Sequence, residues 1–145
     1  GLNADERRYI LPRPMLHSGD FNFSFSGLKT AVLYTIKKIP KLTNEIKASI
    51  AKEFEEAVTE VLTKKTLRAA EEFGAKTIIV GGGVAANKRL REALAAEAQK
   101  LKLPLLVPDF PLTGDNAIMI ALAAYLTGTK KAPNKVGAEP NAKLQ

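Results

Sequence analysis

"IIVGGGVAANKRL", residues 78–90, joins a β-branched run to three consecutive glycines and then to a charged, helix-forming segment. The run reads as a short buried strand, because "KTIIV" is bounded by Gly74 and Gly81 and is rich in strand-forming types. Glycine lacks a Cβ and tolerates positive φ, so a strand that ends in glycines lets backbone come close to a ligand. The following helix offers free N–H groups and the positive end of its dipole, which suit an anion or the sugar-phosphate part of a nucleotide. Asn87 falls in the first turn of that helix, where its amide can reach a ribose hydroxyl or a base edge. A tight strand-to-helix turn with no ligand has the same pattern. So does a loose dinucleotide fingerprint, Gly81-x-Gly83-x-x-Ala86 with Asp109 as the ribose acid, although that acid lies beyond the usual spacing of about 20 residues. Lys88, Arg89 and Arg91 flank the turn and either meet a polyanion or form a soluble face.

Upstream, Ile46, Ile50, Phe54, Ala57, Val58, Val61 and Leu62 recur at helical spacing, with Asn44 as cap and Gly74 as end signal. Before them, Leu28, Val32, Ile36 and Ile39 predict a helix stopped by Pro40. "FNFSFSGLKT", residues 21–30, opens with period-two alternation. It predicts a strand over residues 20–26 with Phe21, Phe23 and Phe25 on one face and Asn22, Ser24 and Ser26 on the other. Residues 1–19, with Pro12 and Pro14, read as an extended connector. Downstream, Leu90, Leu94 and Leu101 stripe a helix, and "LPLLVPDF" reads as a second buried strand. Thr113 or Asp115 then caps a last helix through Ile118, Leu122 and Tyr125, ended by Gly128. Residues 129–145 form a basic, irregular tail. The order strand, helix, helix, strand, helix, strand, helix predicts an α/β layer with at least two parallel crossovers.

The chain has 145 residues, 46% of them hydrophobic, enough for a real core. Its formal charge of +7 favours anionic partners. With no cysteine, disulfides, thiolate metal sites and cysteine nucleophiles are excluded. The longest apolar run, residues 117–126, is about half a membrane span. The first residue is glycine and the opening reads as mid-sequence, so a fragment or processed product is expected. Asp115 follows a glycine directly after a strand, at the sheet end where open α/β proteins bind ligands. Its carboxylate there either contributes to a metal site or simply caps the helix. His17, the single histidine, sits in the proline-bearing connector with no second imidazole, which favours a surface or packing role. Lys29 is either a phosphate contact or a solvated lysine in a first turn.

Three segments in order, "FSFSGLKTA", "GGGVAANKRLREAL" and "PLTGDNAIMIALAAY", together resemble the tRNA threonylcarbamoyladenosine transferases, the TsaD family, also represented by the catalytic subunit of the KEOPS complex. "IAKEFEEAVTEVLTKKTLRA" looks like the family's long helix and "LPRPM" like the lead-in to its phenylalanine strand. The resemblance runs from about Leu11 to Tyr125. It implies an actin-like (ASKHA) fold of two ribonuclease-H-like lobes that clamp a nucleotide, with residues 20–128 as part of the second lobe. It also implies transfer of the threonylcarbamoyl group from threonylcarbamoyl-adenylate to N6 of the tRNA adenosine 3′ of the anticodon.

By matching positions, Gly82 and Gly83 correspond to the turn that admits the adenylate, Asn87 to a nucleotide-contacting asparagine, and Asp115 to a ligand of the active-site iron or zinc. The family's paired-histidine motif is missing, since this chain has one histidine. The chain alone is therefore expected to be inactive, because metal polarisation and substrate orientation need groups it lacks. The resemblance implies a cytoplasmic enzyme, free of membranes, that works with a paralogous actin-like subunit and a small ATPase. The alternative from another class is a non-catalytic nucleotide-binding or assembly module of the same superfamily.

Overall fold

A computed structural model describes residues 9–114 and 116–128; the basic tail at 129–145 and Asp115 lie outside the described residues. These residues form an α/β arrangement, mostly helical. In order they are α1 (Ser26–Lys37), α2 (Asn44–Glu72), β1 (Ile78–Ile79), a 3-10 turn (Gly83–Ala86), α3 (Lys88–Lys100), β2 (Leu105–Leu106), a second 3-10 turn (Phe110–Leu112) and α4 (Ala117–Thr127). The chain divides into two compact units, Gly1–Thr113 and Gly114–Gln145.

In the first unit α2 is the backbone of the packing. It starts one residue later than its cap: Thr43, not Asn44, is the N-cap, and its hydroxyl accepts the Ile46 N–H at 3.3 Å. Threonine outcompetes the neighbouring asparagine because it alone holds the extended φ and ψ that aim a side-chain oxygen at the first turn. Gly74, at φ +59°, ends the segment as expected, and the Ala75 N–H returns to the Ala70 carbonyl at 2.8 Å. One stripe of α2 packs with α3 and β1: Leu67, Ala70, Ile78, Leu90, Leu94 and Ala98 form a single buried cluster. Ala98 takes the place foreseen for Leu101, which lies at the C-cap of α3 and is exposed. A second cluster joins Leu11 and Leu28 to Ala57 of α2, with Phe25, Val32 and Val58 around it.

β1 and β2 pair in parallel, Ile78 opposite Leu105 and Ile79 opposite Leu106, connected through α3. That is one parallel crossover among the described residues, where at least two were foreseen. Neither strand is fully buried. Ile78 is 6% exposed against the helices while Ile79 is 75% exposed on the other face, and Leu106 is exposed beside it.

The strand foreseen over residues 20–26 is absent, and α1 begins already at Ser26. A strand needs a neighbour for its carbonyls, and here cations of α2 take those carbonyls instead. Lys65, 1% exposed, donates from Nζ to the Met15 carbonyl at 3.0 Å, to Ser18 Oγ at 2.8 Å and to the Asn22 carbonyl at 2.6 Å. One turn along, Arg68 donates to the carbonyls of Ser18 (3.0 Å) and Asp20. The phenylalanines follow these cations. Phe23 lies under Lys65 Nζ and Phe21 under the Arg68 guanidinium, 5.4 and 4.9 Å from the ring centroids. Phe21 also meets Phe73, and Phe23 stacks on Phe25. Asn22, Ser24 and Ser26 are exposed, so the alternation reflects aromatic packing onto a helix.

The proline-bearing lead-in is likewise pinned to α2. The Leu11 N–H donates to Glu53 Oε1 at 2.9 Å, and Arg13 bridges Glu53 and Glu60.

The second unit contributes α4. Its N-cap is Asn116, whose Oδ1 accepts the Met119 N–H at 3.1 Å, rather than either residue foreseen. Thr113 instead closes the second 3-10 turn, its hydroxyl donating to the Phe110 carbonyl at 2.8 Å. Gly128, at φ +62°, ends α4 as foreseen.

Candidate functional site: the glycine turn and its cavity

The chain leaves β1 at Val80, whose N–H donates to the Leu106 carbonyl at 2.9 Å, and enters the glycines. Gly82 takes φ +83° and ψ 171°, a combination essentially confined to glycine. Gly83 has no such requirement. Apart from chain neighbours, no atom lies within 4 Å of where a Cβ would stand at Gly81, Gly82 or Gly83. The N–H groups of Gly82 and Gly83 donate to no acceptor among the described residues. The turn is thus open on one side, with two free donors.

The turn does not run straight into α3, as the sequence led one to expect. Gly83–Ala86 form a 3-10 turn first, with the Ala85 N–H on the Gly82 carbonyl at 2.9 Å. Asn87 then serves as the N-cap of α3, its Oδ1 accepting the Leu90 N–H at 2.8 Å. The α3 dipole end is therefore capped from within, and the open donors belong to the glycines. Arg91 fastens the turn, donating from Nε to the Ala85 carbonyl and from Nη2 to the Pro108 carbonyl at 3.0 Å. Of the three cations beside the turn, Arg91 is thus structural and Lys88 pairs with Glu92 at 3.8 Å.

Behind the turn lies a cavity of about 440 Å³, within the roughly 300–1,000 Å³ of small-molecule sites. Phe25, Phe54, Val58, Leu62, Val84 and Leu90 give it apolar walls, and Glu55, Thr59 and Asn87 supply its polar groups. Asn87 Nδ2 donates to Glu55 Oε1 at 2.8 Å. The sequence did not single out Glu55. It is one of several glutamates along α2, and only its pairing with a residue 32 positions away distinguishes it.

Of the three candidates in this stretch, Asn87 lines the cavity, while Gly82 and Gly83 lie in the turn just before its lining residue Val84 and are not part of the lining. The remaining candidates lie elsewhere: Lys29 is exposed on α1, His17 is exposed in the turn before Ser18, and Asp109 is the exposed N-cap of the second 3-10 turn. Asp115 lies outside the described residues. Among the described residues no group of three or more His, Asp or Glu side chains is placed to hold a metal ion, and no helix is long and apolar enough to cross a membrane.

Strand, open glycine turn, capped helix and a neighbouring apolar cavity define an α/β arrangement. A family model for "TsaD: tRNA N6-adenosine threonylcarbamoyltransferase" matches residues 2–122. Curated proteins named tRNA N6-adenosine threonylcarbamoyltransferase align over most of the chain. That of Thermosipho africanus is 44% identical over 98% of this chain and 43% of its own length. That of Ralstonia pickettii is 53% identical over 81% and 35%, and that of Thermosipho melanesiensis 42% identical over 97% and 42%. The chain belongs to the tRNA N6-adenosine threonylcarbamoyltransferase family. It spans less than half the length of these relatives.

Proposed function

We propose that this chain is the nucleotide-binding part of a tRNA threonylcarbamoyltransferase with an actin-like fold, residues 20–128 contributing to its second lobe. In this reading the intact enzyme moves the threonylcarbamoyl group from threonylcarbamoyl-adenylate to N6 of the tRNA adenosine 3′ of the anticodon. The observation that carries it is the open turn: the N–H groups of Gly82 and Gly83 have no acceptor among the described residues, and the turn runs on into Val84 and Asn87, which line a cavity. Free backbone donors at a glycine turn suit phosphate oxygens, and apolar walls with a few polar groups suit a nucleoside. The chain's work is to bind and orient the adenylate, with the base excluded from water and the phosphate fixed by backbone.

Asp115 is proposed as one ligand of a divalent iron or zinc ion. The chain carries a single histidine and so no paired-histidine motif to complete such a site, and the chain alone is proposed to be catalytically inactive. The charge of +7 supports tRNA as the acceptor, since lysine and arginine contacts to phosphate supply most sequence-independent affinity. A paralogous actin-like subunit, a small ATPase and a cytoplasmic setting complete the proposal.

The test is a titration of the isotopically labelled chain with AMP, followed by amide NMR, with NAD as competitor. Saturable shifts at Gly82, Gly83 and Asn87 with AMP are expected. A response to NAD alone, or shifts that bypass these residues, overturns the assignment of the pocket.

A second reading, a non-catalytic assembly module, is favoured by the outer sheet face, where Ile79 and Leu106 are exposed side by side. Sedimentation of the chain as a stable dimer that binds no AMP would favour that reading.

A further inference from the structure

Resting on the nucleotide reading above, we infer that Glu55 is the positioning residue of the pocket: it fixes the Asn87 amide and directs the uncharged, nucleoside end of the ligand into the cavity.

The hydrogen bonds around Asn87 allow only one orientation of its amide. Oδ1 accepts from the Leu90 N–H and Nδ2 donates to Glu55 Oε1, each at 2.8 Å. Turning the amide over would set Oδ1 against a carboxylate and Nδ2 against an N–H, two repulsive pairs where there were two bonds. The Leu90 bond alone would hold the oxygen, but the carboxylate locks the plane from the other side. A primary amide has two N–H groups, so one remains for a ligand. The Glu55 carboxylate likewise keeps Oε2, which has no partner among the described residues.

The cavity thus offers a fixed N–H donor next to a fixed acceptor, in otherwise apolar walls. A planar heterocycle or sugar edge that carries an acceptor beside a donor satisfies both. A phosphate does not, because it would face the carboxylate's charge at short range in a partly desolvated site. The free donors at Gly82 and Gly83 are the complementary place for it. Glu55 therefore settles which end of the ligand goes where, and it does so from α2.

The experiment compares the wild-type chain with Glu55→Gln and Glu55→Ala, using adenosine and AMP as probes. Ligand-free NMR of the Asn87 side-chain amide, with thermal unfolding as control, reads the positioning directly. Glu55→Ala is expected to abolish protection of one Nδ2 proton while the Leu90 amide stays protected. It is expected to weaken adenosine and AMP alike by about tenfold, the factor that 1.4 kcal/mol represents. Glu55→Gln keeps an acceptor oxygen and is expected to restore most of the loss. Unchanged Asn87 protection in Glu55→Ala, or unchanged adenosine affinity, overturns the inference. If the wild type binds neither probe, the nucleotide reading fails and ligand direction with it, while the Asn87 protons still decide whether Glu55 fixes the amide.

Discussion

Gly82 and Gly83 are neighbours with different reasons to be glycine. At Gly82 the backbone itself requires it, with φ +83° and ψ 171°, and Gly82→Ala is expected to cost about 1–3 kcal/mol, read from urea unfolding. At Gly83 neither torsion nor crowding excludes a methyl group, so what excludes it in this account is the ligand. Thr63 offers a contrasting case. Its hydroxyl is buried on α2 with no hydrogen-bond partner among the described residues, and a buried unmatched hydroxyl costs about 1–3 kcal/mol. Thr63→Val keeps the shape and removes that cost, so a rise of about 1 kcal/mol in unfolding free energy is expected by the same measurement. A fall would mean that the hydroxyl is satisfied after all.

Among the elements, α2 organises the rest by charge as much as by apolar packing. Lys65 holds three groups of the preceding loop on one ammonium. Lys65→Met leaves two carbonyls without a donor, and a loss of about 3 kcal/mol is expected. Hydrogen exchange separates this from a general loss of packing: residues 15–22 should open first while α3 stays protected. Equal deprotection of both would contradict the pinned-loop description. The sequence made α2, α3, the glycine stops at Gly74 and Gly128 and the parallel pairing legible, because these follow from apolar periodicity and glycine placement. It misread residues 20–26 for a physical reason: alternating aromatics are equally served by a neighbouring strand or by cations on a helix. Nothing local reveals that Lys65 and Arg68, some 45 residues away, will take the carbonyls. The site was half legible in the same sense. The glycines and Asn87 stand together in the chain, whereas Glu55 reaches Asn87 only through the packing of α2 on α3.

At the scale of the whole molecule, acid should unfold the protein through its carboxylates. Hydrogen bonds from Ser18 and Asn22 hold Asp20 down at about 2, below its ordinary 3.8. Lys64 and then Arg13 lower Glu60 in the same direction. A depressed folded-state value means stability that is complete above the unfolded value, about 4 for an aspartate, and lost as pH falls through the folded one. Wild type is therefore expected to be more stable than Asp20→Asn at pH 7, with the two converging near pH 2. A constant gap down to pH 2 would remove Asp20 from the explanation.

Whether the open turn exists for a nucleotide is decided most directly by Gly83→Ala, measured for both unfolding free energy and AMP affinity. Gly83→Ala is expected to keep stability within about 0.5 kcal/mol of wild type, as at an unstrained surface position, and to lose AMP binding at least tenfold. If Gly83→Ala folds normally and binds AMP as tightly as wild type, no ligand occupies the turn and the proposed function of this site is wrong.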